Sequence, residues 1–243
     1  KKSFIQINGI YLEIVNKYFL KIVNQTYISK ADLIIKYLNK VKFEPKIILD
    51  IGACWGEYSL ILAKHFNKST IYAVEGSNEN FKILINNINF KLNNINNVKA
   101  FNYIISDSNE IRYIRNIIGT TNIVKKEVNV NDINYSKIQS ISLKNFLKIN
   151  NLNTIDFIKL DIEGHELNLI NDLLELDIKY GQIEIININT FQKNLEFLKL
   201  LSKKFFIFDS EKFHCIEIKE LEEYVSQKLH SSISFDIFFS LKK

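Results

Sequence analysis

The segment IILDIGACWGEYSLILAK, residues 47–64, constrains the fold of this chain more than any other part of the sequence. Its apolar start predicts a buried strand, the residues from Gly52 to Gly56 predict a tight turn, and the rest predicts a helix. A glycine lets the backbone bend sharply and approach a ligand closely. A strand that passes through such a turn into a helix is typical of the ligand-binding edge of an open α/β sheet.

The same alternation of strand and helix continues along the chain. Segments with helical spacing separate the strand-like segments TIYAV, VKAFNYIIS, IDFIKLDIE and QIEIININ. Strands joined by single helices form right-handed parallel units, so we expect an α/β fold with an open, mostly parallel, twisted sheet. The last segment, SISFDIFFSLK, is predicted to pair antiparallel with its neighbours. A chain of 243 residues, 47% of them hydrophobic, can bury the core of such a domain.

The first 46 residues are predicted to form an N-terminal helical cap. Apolar residues in YLEIVNKYFLKIV and ADLIIKYLNKV recur at helical spacing. Residues 47–243 are predicted to form the ligand-binding domain, with an insertion at about 107–142 in which EIRYIRNI and KKEVNVN are short strands and GTT is a turn. We attribute Asn-rich runs such as NNINNV to AT-rich codons and give them no structural role.

Charge and composition exclude several classes of protein. The net charge of +5 is spread along the chain, which favours a solvated surface over a nucleic-acid interface. No apolar run approaches the roughly 18 residues of a membrane span, and the N-terminus has no signal core, so we expect a cytoplasmic protein. Cys54 and Cys215 lie far apart with no metal-binding motif, which predicts free thiols.

The spacing of the first turn discriminates between nucleotide ligands. A pyrophosphate needs the pattern G-x-G-x-x-G, whereas this turn has Cys54 at the second glycine position, followed by Trp55. This argues against NAD and FAD and leaves a ligand with a ribose but no pyrophosphate. Glu75 ends the second strand roughly 20 positions after Gly52, where a carboxylate can bind two ribose hydroxyls. Asp107, just past the third strand, is predicted to lie near an adenine amino group.

These segments carry a resemblance to a known family. LDIGACWGEYSLILAK, VEGSNENF, ISD and above all DFIKLDIEGHEL resemble the FkbM family of S-adenosylmethionine-dependent methyltransferases, over roughly residues 47–190. The chain departs from the family pattern at Cys54, where the family usually has Asn, and at Gly76, where it usually has Pro. The resemblance implies a class I methyltransferase fold of Rossmann-like type, S-adenosylmethionine as cofactor, and methyl transfer to oxygen, often to a sugar hydroxyl.

The predicted cofactor-binding residues lie in the first turn, at the ends of the next two strands and in the DFIKLDIEGHEL segment. They are Asp50, Gly52, Ala53, Gly56, Tyr58, Glu75, Gly76, Ser106, Asp107 and Asp161.

The predicted catalytic residues lie in FIKLDIEGHE. Period-two alternation predicts Lys159, Asp161 and Glu163 on one side of a strand. A sugar hydroxyl gains from a base that takes its proton, and Asp161, Glu163 and His165 are the candidates. Lys159 is expected to pair with a carboxylate. Asp161 and Glu163, with Glu184, could instead hold Mg²⁺, a mechanism that we rank below metal-free catalysis.

The leading prediction is therefore a cytoplasmic enzyme that O-methylates a sugar hydroxyl of a glycan or nucleotide-sugar precursor, of capsule or lipopolysaccharide type. Methylation of RNA or of another small molecule, and a non-catalytic nucleotide-binding module, remain alternatives. The sequence has no N-P-P-[YF], the motif expected for methylation of an amide or base nitrogen. Nucleic acid is not favoured as a partner, and a homodimer is left open.

Overall fold

The computed structural model describes residues 2–14, 29–115, 124–127 and 134–242. The chain forms two compact units, the first made of residues 1–104 and 110–140 and the second of residues 105–109 and 141–243. No helix within the described ranges has the length and apolar character that a membrane crossing requires.

Strands and helices alternate along most of the chain. The strands are β1 Phe4–Ile7, β2 Ile10–Glu13, β3 Ile47–Ile51, β4 Thr70–Val74, β5 Val98–Phe101, β6 Ile104–Ser106, β7 Ile111–Arg115, β8 Val124–Lys125, β9 Tyr135–Ser142, β10 Ile155–Leu160, β11 Ile178–Ile186, β12 Phe205–Asp209, β13 Cys215–Ile216 and β14 Ser234–Leu241. The α-helices are α1 Ala31–Lys40, α2 Glu57–His65, α3 Asn78–Ile88, α4 Leu143–Ile149, α5 Ile170–Glu175, α6 Phe191–Leu201 and α7 Leu221–Ser231, and the 3₁₀ helices are Glu166–Leu169 and Ile218–Glu220.

The N-terminal segment begins with a β-hairpin, so the prediction of a helical cap is wrong there. β1 and β2 pair antiparallel, with Ile7 opposite Ile10. The two turn residues between them, Asn8 and Gly9, have φ of 46° and 79°. Asn-Gly between alternating apolar residues is a strong hairpin signal, and it outweighs the helical spacing of YLEIV. α1 confirms the helix predicted in ADLIIKYLNKV, while residues 15–23 of the other predicted helix lie outside the described ranges.

Asparagine side chains stabilise the hairpin and the loop that connects α2 to β4. The amide of Asn93 accepts a hydrogen bond from Tyr11 N at 2.6 Å and donates one to Tyr11 O at 2.9 Å. Asn87 Oδ1 accepts from Glu13 N at 2.8 Å. The Nδ2 of Asn97 lies 2.9–3.3 Å from three carbonyl oxygens around the end of α2 and the start of β4. Giving the NNINNV run no structural role was therefore wrong.

The sheet of the first unit is parallel, as predicted. Asp50 of β3 pairs with Ala73 of β4, which pairs with Ala100 of β5. The hairpin packs into the same core, in which Ile10 and Leu12 are fully buried together with small and aliphatic residues of the neighbouring strands and helices. Because β3 and β4 are parallel, the turn after β3 and the residue after β4 lie at the same edge.

The second unit also confirms the predicted pairing. β10 and β11 are parallel, and β14 lies antiparallel between β11 and β12. Gly181 of β11 has no side chain, and a Cβ there would lie 2.2 Å from the ring of Phe239. The phenyl ring thus packs directly on the β11 backbone. The predicted α/β fold with mostly parallel helix-linked strands and an antiparallel last strand is confirmed.

Short antiparallel strands occupy the predicted insertion. β7 pairs with β8 and with β9, as in Ile114 opposite Val124 and Ile111 opposite Gln139. The predicted GTT turn and the end of KKEVNVN lie outside the described ranges. The insertion boundaries at about 107–142 stay a prediction.

A buried carboxylate fixes the end of β12. Asp209, 3% exposed, accepts hydrogen bonds from the backbone amides of Glu211 and Lys212 and from the Tyr224 hydroxyl, at 2.7–3.0 Å. Its Oδ2 lies 3.1 Å from the Lys228 ammonium. Burial by itself raises the pKa of Asp209, but the Lys212 amide, the Lys228 ammonium and the Tyr224 hydroxyl outweigh it and lower the pKa from 3.8 to about 2.

We predict that Asp209→Asn lowers the free energy of unfolding at pH 7 by about 2 kcal/mol, because the folded state favours the ionised carboxylate. In the wild type this contribution is present above pH 3.8 and is lost as the pH falls through about 2. Urea denaturation from pH 7 to pH 2 measures it. Glu211→Gln, an exposed partner of the same lysine, is the control and should change stability by less than about 0.5 kcal/mol. Equal effects of the two substitutions would contradict the assignment.

Candidate functional site

The predicted glycine turn follows β3 and has a left-handed backbone at three positions. Gly52, Cys54 and Gly56 have φ of 79°, 50° and 87°. At Gly56 a Cβ would also lie 2.4 Å from Leu84 Cδ1, so this position requires glycine twice over. Asn adopts the left-handed region more readily than most residues. The Asn that the FkbM pattern usually has at position 54 is therefore the residue this backbone favours, and Cys54 adopts the conformation without that advantage.

Backbone amides of the turn are satisfied within the protein. Gly52 N and Ala53 N both donate to Val74 O, at 2.9 and 3.0 Å. Cys54 N donates to Glu75 Oε2 at 2.8 Å. A pyrophosphate needs such amides for itself. The geometry thus agrees with the sequence argument against a dinucleotide.

Glu75 joins the two loops at this edge of the sheet. Its side chain is 6% exposed, and its Oε1 accepts from Ser77 N at 2.7 Å while Oε2 accepts from Cys54 N. A carboxylate offers about four lone-pair sites, which is more than two amides use. The predicted contact with ribose hydroxyls is compatible with this geometry and stays a prediction. A second role of Glu75, in which its carboxylate holds the turn in shape, was not predicted from the sequence.

Other predicted cofactor residues lie around the same turn. Asp50 is fully buried and accepts a hydrogen bond from the Ser59 hydroxyl at 2.6 Å, which ties β3 to α2. Tyr58 is half-buried against the core of the first unit. At Gly76 a Cβ would lie 2.8 Å from Ile104 Cγ1, so the loop after β4 packs closely there. Their contacts with a cofactor stay predictions.

Ser106 and Asp107 belong to the second unit, as does Asp161. The Ser106 hydroxyl donates to Ser108 O at 2.9 Å, and Asp107 is exposed. The predicted contact of Asp107 with an adenine amino group is not tested by this geometry.

The end of β10 brings two of the predicted catalytic residues together. Lys159 Nζ lies 3.2 Å from Asp161 Oδ2, and their side chains are 4% and 29% exposed. The prediction that Lys159 pairs with a carboxylate is confirmed. Because a buried ammonium needs a counter-charge, this pair explains how the strand tolerates a lysine in its interior.

Glu163 does not share the strand face with these two residues, so that prediction is wrong. β10 ends at Leu160, and Glu163 and Gly164 have φ of 57° and 93°. His165 N donates to Ile162 O at 3.3 Å, which closes a two-residue turn of type I′ character. At Gly164 a Cβ would lie 2.6 Å from Ile188 Cγ2. The turn thus interrupts the period-two alternation, and it leaves His165 exposed before the first 3₁₀ helix.

Glu166 stabilises this turn through a hydrogen bond to its backbone. Its role was not predicted from the sequence. It is 1% exposed, and its Oε1 accepts from Ile162 N at 2.6 Å. The pKa of Glu166 is raised to about 7, mainly by burial and to a smaller extent by the charges of Asp161 and Glu184, which together outweigh the lowering effect of the backbone amides. The final Glu of DIEGHE was the available signal, since a carboxylate directly after a turn can reach back to the first amide of that turn, four residues earlier.

Glu184 of β11 lies close enough to Glu166 for its charge to raise the pKa of that residue. Its Oε1 accepts from the Ser234 hydroxyl of β14 at 2.9 Å. In the part of the chain that the structure describes, no group of three or more His, Cys, Asp or Glu side chains has the arrangement of a metal site. The ranking of metal-dependent catalysis stays as the sequence analysis left it.

We predict that Glu75→Gln lowers the free energy of unfolding by about 2 kcal/mol, because an amide NH₂ would then face a backbone N–H in place of a charged acceptor. Guanidinium or urea denaturation at pH 7 measures the change. Glu79→Gln is the matched control at the second residue of the following helix, where the carboxylate is 42% exposed and its Oε1 lies 2.7 Å from the Lys82 ammonium. A loss no greater than that of the control would contradict the role of Glu75 in holding the turn after β3.

We predict that Glu166→Gln stabilises the protein at pH 8 by up to about 3 kcal/mol and changes little at pH 5. The pKa is raised in the folded state, so the wild type loses stability as the pH rises from 4.5 to about 7, whereas a neutral amide does not ionise. The Gln carbonyl still accepts from Ile162 N. Glu166→Leu removes that acceptor and should destabilise at both pH values. Parallel pH profiles for the wild type and Glu166→Gln would be inconsistent with this account.

Solved structures resemble this chain at low identity. M. jannaschii TYW2 in complex with AdoMet is 14% identical at a TM-score of 0.46, with 99% of this chain and 87% of that chain covered. Precorrin-6y C5,15-methyltransferase from Geobacter metallireducens is 12% identical at 0.48, with 90% and 92% covered. A putative O-methyltransferase from Klebsiella pneumoniae is 8% identical at 0.48, with 97% and 85% covered. Among curated proteins, no sequence matches the chain.

The family comparison is decisive. The methyltransferase FkbM domain matches residues 50–224, which is well over half of the chain. The matched range contains the turn after β3, Glu75, the Lys159–Asp161 pair and the turn that Glu166 holds. The chain belongs to the FkbM methyltransferase family and is an S-adenosylmethionine-dependent methyltransferase.

Proposed function

We propose that this methyltransferase acts on a sugar hydroxyl of a glycan or nucleotide-sugar precursor. The observation that carries the proposal is the turn at the end of β10, which presents Asp161, Glu163 and His165 close together in the sequence, with Asp161 bound to Lys159. A hydroxyl is a weak nucleophile that gains from a base and from polar groups that orient it. This turn supplies both kinds of group.

Residues of the first unit fit the cofactor. The glycine turn uses the amides of Gly52, Ala53 and Cys54 internally, which suits a ligand without phosphate, and Glu75 suits a ribose. S-adenosylmethionine, when bound, supplies an electrophilic methyl group on a sulfonium sulfur. We propose that Glu75 binds the ribose hydroxyls, that the Gly52–Gly56 turn contacts the amino-acid part, and that Asp107 contacts the adenine.

We assign different roles to the residues at the end of β10. Asp161 is neutralised by the Lys159 ammonium, so it is suited to accept a hydrogen bond from the acceptor hydroxyl and fix its direction. Glu163 and His165 lie on the turn, where the backbone is held by Glu166, and they are suited to take the proton. A base that is held still loses less entropy when it engages the hydroxyl.

We predict that the wild type releases S-adenosylhomocysteine with at least one simple glycoside in a panel of methyl hexosides, deoxyhexosides and uronosides. Removing the base lowers kcat by about 10²- to 10⁴-fold. Glu163→Gln and His165→Gln, assayed separately, identify which residue is the base, and titration with S-adenosylmethionine should give an unchanged Kd for both.

The matched control is Glu196→Gln, an exposed carboxylate on α6, which should leave kcat unchanged. Turnover with RNA and with no glycoside would overturn the sugar assignment. Unchanged kcat in both turn variants would overturn the assignment of the base to this turn.

A further inference from the structure

Gln182, in the middle of β11, is a buried polar side chain without a hydrogen-bond partner. The residue is 1% exposed, and within the described residues neither Nε2 nor Oε1 of its amide has a partner. Each unpaired buried polar group costs roughly 1–3 kcal/mol. An apolar residue of the same volume would remove that cost, so the amide calls for another explanation.

The neighbours of Gln182 in the sheet do not satisfy it. Lys159 lies beside it on β10 and Phe238 beside it on β14. The Lys159 ammonium is 3.2 Å from Asp161, and the phenyl ring of Phe238 has no polar atom to offer. The amide thus lies between a lysine whose ammonium pairs with Asp161 and an aromatic ring.

Gln182 belongs to a polar row that leads to the proposed catalytic turn. Residues two apart on a strand share a side, so Glu184 lies on the same side as Gln182, about 6.6 Å nearer the carboxyl end. Register places Asp236 of β14 opposite Glu184. Exposure rises along the row, from 1% at Gln182 to a half-buried Glu184. Asp161, the residue directly after the end of the neighbouring strand β10, has a side chain that is 29% exposed.

The chemistry of a primary amide indicates what would pair with it. The amide presents N–H donors and a carbonyl acceptor in one plane. Two adjacent hydroxyls match this arrangement, because one can accept from the NH₂ while the other donates to the carbonyl. A sugar offers such pairs on neighbouring ring carbons, and a site that hydrogen-bonds an acceptor hydroxyl discriminates strongly against an analogue that lacks it.

We propose that Gln182 binds the acceptor, with its side-chain amide hydrogen-bonded to a pair of adjacent hydroxyls of the sugar. The proposal rests on the proposed function as a sugar methyltransferase and names the residue of this chain that recognises the diol. The side-chain amide of Gln182 then gains its hydrogen-bond partners only when the acceptor is bound. Gln182 thereby favours the acceptor-bound state.

The first experiment compares the wild type with Gln182→Met, which keeps the unbranched shape and removes the amide. We expect the KM for the glycoside that the wild type methylates to rise at least tenfold, the Kd for S-adenosylmethionine to stay within twofold, and the midpoint of thermal unfolding to stay equal or increase. Gln192→Met, an exposed glutamine of α6 in the same unit, is the matched control and should change none of these.

The second experiment uses monodeoxy forms of that glycoside. On the wild type, removal of either hydroxyl of the recognised pair should raise KM about tenfold, whereas on Gln182→Met it should have little further effect. Should the Met variant not fold, Gln182→Glu replaces it: it keeps an acceptor, lacks the donor, and should lose discrimination for one of the two hydroxyls alone.

The outcomes separate the two proposals. A wild type that methylates no glycoside overturns the proposed function and this inference with it. A wild type that methylates a glycoside, together with an unchanged KM in Gln182→Met, overturns this inference alone. An unchanged KM with a lowered unfolding midpoint would show that the amide instead holds a structural water.

Discussion

The hydrogen bonds of the Glu75 carboxylate are the constraint on which the cofactor edge of the first unit depends. One carboxylate oxygen accepts a hydrogen bond from Cys54 N and the other accepts one from Ser77 N. These two bonds join the turn after β3 to the loop after β4. Left-handed positions in the turn are stable only when their surroundings hold them. Parallel pairing of β3 with β4 brings this carboxylate to the turn, so the sheet, the turn and the proposed ribose site form one arrangement.

The second unit also contains a turn that is held by a buried carboxylate. The turn after β10 also has left-handed residues, Glu163 and Gly164, and a buried carboxylate, Glu166, accepts from the backbone at Ile162. In each unit a carboxylate fixes a strained turn at the carboxyl end of a parallel strand. Fixed turns at strand ends suit methyl transfer, because that reaction depends mainly on the alignment of nucleophile, methyl group and sulfur.

Sequence patterns predicted what depends on periodicity and short motifs. The parallel α/β order, the antiparallel last strand, the pairing of Lys159 with a carboxylate and the family were all predictable from the amino-acid sequence. The hairpin at Asn8-Gly9 was not predicted, because the helical spacing of the apolar residues was given more weight than the turn preference of the Asn-Gly pair. Glu163 was misplaced since period-two alternation has no meaning beyond the end of a strand. Glu166 and Gln182 were not identified, because burial and missing partners depend on residues far apart in sequence.

Isothermal titration of the purified chain with S-adenosylmethionine, and separately with NAD, tests the central claim most directly. The glycine turn that satisfies its own amides and the carboxylate beside it predict about one S-adenosylmethionine bound per chain in the micromolar to low millimolar range and no binding of NAD. Binding of NAD at similar strength, or no heat from S-adenosylmethionine at several millimolar, would contradict the account of this site.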